Sequence, residues 1–161
     1  MKGAMIAAGL LLAVFSFALA FVPRKVALGA ALVCVLTAVA AANVGGVPSG
    51  VTFTGCWASL ALSALSVYWP RTAQNTAWLC LAFAANAGAW AGLVVSTEAS
   101  GSAVIRVLAV LLLGIPAAWC IDRGWTIAPR IVTSWLLAVA ILVGAIPHLV
   151  VHPGYEPDHN I

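Results

Sequence analysis

The chain has 161 residues, 64% of them hydrophobic and 7% charged, with a net charge of +3 at neutral pH. Soluble domains carry about 25% charged residues, so this chain has too little polar surface to face water, and lipid is left as the solvent for most of its exterior. The seven cations, Lys2, Arg24, Lys25, Arg71, Arg106, Arg123 and Arg130, are scattered. No run of them could follow a phosphate backbone, which excludes a nucleic-acid partner.

A membrane-crossing helix needs about 20 mostly apolar residues. The first such run, residues 5–22, ends at Pro23-Arg24-Lys25. Lys2 ahead of it and Ala18-Leu19-Ala20 near its end imitate a cleavable leader. The cations that follow at once are the flank of a helix stopping at the cytoplasmic face, so the run is read as the first span. The second covers residues 26–43, and the glycine-rich stretch 45–50 is a turn. The third covers 51–69 and stops at Pro70-Arg71; the fourth covers 77–95, before the polar loop 96–102. The fifth runs over 103–121 and the sixth over 131–151, leaving a polar tail at 152–161. The runs are too long and continuous for barrel strands, which alternate over about ten residues. The fold expected is therefore all-α: a polytopic bundle of about six spans over residues 1–151, with a short outer tail.

Charge sets the orientation. Arg24, Lys25, Arg71, Arg123 and Arg130 fall after the odd-numbered spans, against one acid, Asp122; Lys2, Glu98, Glu156 and Asp158 fall on the other side. Cations favour the cytoplasmic side, so both termini are expected outside the cytoplasmic (inner) membrane. Pro-Arg recurs at 23–24, 70–71 and 129–130, and Thr76-Ala-Trp-Leu resembles Thr133-Ser-Trp-Leu. These repeats predict three helical hairpins closed by short cytoplasmic turns, although apolar sequence also aligns with itself by chance. Trp69, Trp78, Trp119, Trp125 and Trp135 fall near the same boundary, as an interfacial aromatic belt does.

Few residues can carry chemistry. In the fourth span Ala84, Gly88, Gly92 and Ser96 recur every fourth residue, and Gly88 and Gly92 make a GxxxG pattern that admits a neighbouring backbone, within this chain or in another subunit. Asn86 in the same span needs a hydrogen-bond partner, expected to be a Ser, a Thr or a backbone carbonyl inside the bundle, or else it marks a solute pathway. Arg106 is the one charge inside a span; its shallow depth favours snorkelling or pairing over function. His148 and His152 are four apart and share a helix face, and Asp158 and His159 follow. These are metal-ligand types without a strict ligand spacing, and a solvated outer cap explains them equally. The four cysteines contain no CxxC pair and read as small apolar residues.

The sequence identifies no cofactor. It has no acid or lysine deep in a span, no nucleophile elbow and no phosphate loop. The function expected is that of a non-catalytic accessory or structural subunit of a larger membrane complex. Its partners are the lipid bilayer and other membrane-protein subunits, or further copies joined through small-residue faces. The alternatives are a small transporter or channel for a neutral solute or metal ion, and less readily an enzyme built on the outer polar cluster.

Overall fold

The computed structural model of the chain describes residues 2–44, 47–68, 76–96 and 102–145, and among these residues every regular element is helical. The elements are α1 (Lys2–Ala20), α2 (Arg24–Ala42), α3 (Ser49–Ser66), α4 (Thr76–Ser96), α5 (Ser102–Leu108), α6 (Gly114–Asp122) and α7 (Ile127–Ala145). A 3₁₀ stretch, Ala109–Leu113, joins α5 to α6, so the described residues form six helical rods. Three stretches are long and apolar enough to cross a membrane: Arg24–Ala42, Ala77–Ser96 and Ile105–Asp122. Met5–Ala20 and Ile127–Val143 are shorter apolar helices.

Prolines punctuate these rods. Pro23 and Pro48 stand immediately before α2 and α3, with extended ψ angles of 135° and 138°. Their fixed φ suits a helix start, where the missing N–H costs nothing. Pro129 falls within the first turn of α7 for the same reason, and this lets the helix begin at Ile127, ahead of the expected start at 131. Pro116 is different, because it lies inside the fifth rod. Its ring displaces the carbonyl four residues back, at Leu112, and it has no N–H to offer that carbonyl. The backbone tightens to 3₁₀ geometry over the five residues that contain Leu112.

The axis of the bundle is α1. Its residues Leu11, Leu12, Ala13, Val14, Phe15 and Ser16 are consecutive and all buried. Six consecutive residues pass about once and a half around a helix, so α1 is enclosed on every side over its middle turns. It touches α3, α4, α5, the 3₁₀ stretch, α6 and α7.

The expected three hairpins do not describe the packing. Consecutive helices α1 and α2 barely touch, as do α6 and α7, and only α3 with α4 packs as an extended neighbouring pair. The principal pairs are instead α2 on α4 and α1 on α3, with α7 also lying against α3. The reason lies in residue size. α2 buries one stripe, Ala30, Cys34, Ala38 and Ala41, against the small face of α4, and two backbones separated by so little side chain approach more closely than α2 could approach the bulky α1.

The outer surface is apolar to an extent no water-facing protein shows. Leu28, Leu32, Leu36 and Val39 on α2, Ile105, Leu112 and Ile115 on the fifth rod, and Ile131, Trp135 and Leu142 on α7 are all exposed. Apolar patches of this extent mark contact with membrane or with other protein.

Candidate functional site

The face of α4 containing Gly88 and Gly92 is filled by the backbone of α2. A Cβ built on Gly88 would collide with the Cys34 carbonyl and the Thr37 hydroxyl, and one built on Gly92 with the Ala38 carbonyl and the Ala41 methyl. Residue numbers rise together on the two helices, so α2 and α4 run parallel. Thr37 turns its hydroxyl hydrogen back to its own helix, shared between the carbonyls of Val33 (2.8 Å) and Cys34 (3.1 Å), while the hydroxyl oxygen lies against Gly88. Beside this seam, Ala38, Ala91, Gly92, Val95, Val107 and Leu108 line a partly open apolar pocket of about 10 Å³, room for about one water.

Asn86 finds its partner within α4. The Trp90 indole N–H donates to Asn86 Oδ1 at 3.1 Å across one helical turn, and the side chain is half-buried. The expected partner, a Ser, a Thr or a backbone carbonyl of the bundle, gives way to this tryptophan because residues four apart are nearest neighbours on a helix surface. Trp90 also joins α4 to α3. Its ring covers Gly55, where any Cβ would intrude, and Cys56 Sγ lies 3.7 Å from the Trp90 carbonyl.

A second polar group escaped the sequence reading. On α3, Thr52, Ser59 and Ser63 are buried; Ser16 of α1 and Thr133 of α7 are buried too. Most of these hydroxyls are satisfied locally: Ser16 donates to the Ala13 carbonyl (2.7 Å), Thr52 to Ser49 (2.9 Å) and Thr133 to Pro129 (2.8 Å). Ser63 Oγ and Trp57 Nε1 are buried without a hydrogen-bond partner. Such groups are rare in native interiors and cost about 1–3 kcal/mol each. The Ser and Thr content of the third span was a visible signal, but periodicity alone did not show which hydroxyls would face inward.

Charges gather at one end of the bundle. Arg24, at the start of α2, pairs with Asp122, at the end of α6, at 2.6 Å. Tyr68, just beyond α3, donates its hydroxyl to the Arg130 carbonyl on α7 at 2.9 Å, and the Arg130 guanidinium lies 5.6 Å from the ring centre of Phe21. Arg106 is exposed in α5, on a different turn of the chain. His148, His152, His159 and Asp158 lie outside the described residues; among those described, no cluster of His, Cys, Asp and Glu could hold a metal ion. No family model, curated protein or solved structure matches this chain.

Proposed function

We propose that the chain is a six-span protein of the inner membrane, both termini outside, serving as a non-catalytic accessory or structural subunit of a larger membrane complex. The observation that carries this reading is the filled axis: Leu11, Leu12, Val14 and Phe15 of α1 occupy the position a solute path would need. The apolar exposed faces of α2 and α7 supply surface for other subunits or lipid. The orientation rests on Arg24, Arg123 and Arg130, which favour the cytoplasmic side.

Affinity purification in mild detergent, followed by mass spectrometry, tests the proposal. A stoichiometric partner is the expected result. A chain that purifies alone and carries solute across proteoliposome membranes would overturn it. One observation favours that second reading, a transporter for a small neutral solute: Ser63 Oγ and Trp57 Nε1 are buried polar atoms without partners on one helix. Replacing Ser63 with Ala separates the two. In a subunit the change removes an unsatisfied hydroxyl and is neutral or stabilising; in a transporter it lowers flux.

A further inference from the structure

The end of the bundle where α2 begins and α6 stops carries four cations among the described residues, Arg24, Lys25, Arg123 and Arg130, against the single carboxylate of Asp122. The turn after α6 fixes two side chains there. Gly124 adopts φ +82°, which a glycine takes without strain. Its N–H bonds the Ile121 carbonyl and the Trp125 N–H reaches the Cys120 carbonyl, both at 2.9 Å, a left-handed helix cap. The cap ends α6 at Asp122, with Arg123 in the C-cap position and Trp125 two residues beyond it, 63% exposed. The Arg123 guanidinium stacks over the Trp119 ring at 4.2 Å, holding a cation at the level of an indole that is itself half exposed.

Below this cationic end the exposed surface is apolar on both helices. Arg24, Leu28 and Leu32 follow one another at four-residue intervals, so they share a face of α2, and both leucines are exposed. Asp122, Trp119 and Ile115, three and four residues apart, share a face of α6, and the last two are exposed. The Arg24–Asp122 pair joins the tops of these two stripes. Cations, interfacial indoles and two apolar tracks therefore stand in the order in which a phospholipid presents its phosphate, glycerol and acyl chains.

We infer that this end of the bundle binds an anionic diacyl phospholipid, its phosphate held by Arg123 and Arg24 with Lys25 beside them, its chains lying along Leu28–Leu32 and Trp119–Ile115. Arg24 cancels the one carboxylate, Asp122, through a single nitrogen and keeps further N–H donors for the phosphate, while Arg123 and Lys25 add the net positive charge. Each cation near an anionic headgroup adds about 1 kcal/mol of attraction, which converts to about fivefold in retention. The inference rests on the membrane reading above.

The test uses the full chain in micelles containing equal parts phosphatidylglycerol and phosphatidylcholine, with the lipids that remain bound after delipidation counted by native mass spectrometry. Phosphatidylglycerol is expected to be retained over phosphatidylcholine. Arg123→Gln and Arg24→Gln are each expected to lower that retention about fivefold, and Arg106→Gln, far along the rod, to leave it unchanged. Arg123 is exposed and outside the ion pair, so its variant carries the test if the Arg24 change perturbs the fold. Retention unaffected by Arg123→Gln, or lowered equally by Arg106→Gln, overturns the site. Displacement of the lipid by soluble glycerol phosphate overturns the choice of a lipid over a free anion. Loss of a co-purifying acidic protein from the Arg123 variant, with lipid unchanged, overturns it in favour of a protein partner. Incorporation into pure phosphatidylcholine liposomes keeps the outcomes apart: a chain that incorporates but shows no anionic preference sinks this inference alone, and one that washes off the liposomes sinks the membrane reading with it.

Discussion

α1 and α2 are both 19-residue apolar helices, yet one is enclosed on every side over its middle turns and the other has 17% of its span buried. Hydropathy does not separate them, because lipid and protein interior are equally good solvents for a leucine. What separates them is size. α1 supplies Leu11, Leu12 and Phe15, bulky enough to fill the space between five neighbours, whereas α2 contributes a line of Ala and Cys whose value is its smallness. One helix is held by volume and the other by proximity.

The largest effect is expected from breaking the volume-held helix. Phe15→Ala should leave a cavity at the axis and lower stability by about 3 kcal/mol, read as a fall in the melting temperature of the detergent-solubilised chain. A change indistinguishable from that of a lipid-facing alanine would mean that α1 is not the axis. Next comes the proximity-held pair. Gly92→Leu must push α2 off α4, at a cost on the order of 1–3 kcal/mol, and a disulfide-crosslinking probe between the two helices should lose efficiency in step. Gly92→Ala tests the same contact more gently, since even one methyl meets the Ala38 carbonyl.

A smaller loss, about 1 kcal/mol, is expected from Gly124→Ala, where nothing crowds the new methyl and only the positive φ resists it. The smallest belongs to the exposed stripe of α2. Leu32→Ala should change stability by no more than about 0.5 kcal/mol, because its side chain is mostly exposed and has little packing to lose. A cost like that of Phe15→Ala would show that another surface covers this stripe, and would point to where a partner subunit sits.

Much of the helical layout could be read from the chain. The Pro-Arg boundaries, the GxxxG spacing and the length of the apolar runs locate the helices to within a few residues, because they depend on local geometry. Partner choice was not legible. The Thr76 and Thr133 strings suggested repeated hairpins, but pairing is decided by matched surfaces far apart in sequence, here Cys34 with Gly88 and Ala38 with Gly92. The 3₁₀ stretch at 109–113 could have been anticipated from Pro116 alone. The Asn86–Trp90 bond was likewise available from their four-residue spacing. The inward choice of Thr52, Ser59 and Ser63 over Thr54 and Ser66 was not, since α3 offers Ser or Thr on several faces.

The enclosure of α1 also sets an order of events during synthesis. The axial helix leaves the ribosome before the helices that enclose it, and α6 and α7, which complete its cover, follow the others. The ties that close the bundle are correspondingly distant: Arg24 waits for Asp122, 98 residues on, and Tyr68 for Arg130, 62 residues on. Until then α1 has its serine side uncovered, and translation arrested before α6 yields a chain with its early helices and no sealed centre. Quality control that recognises an unsealed helix has that whole interval in which to act.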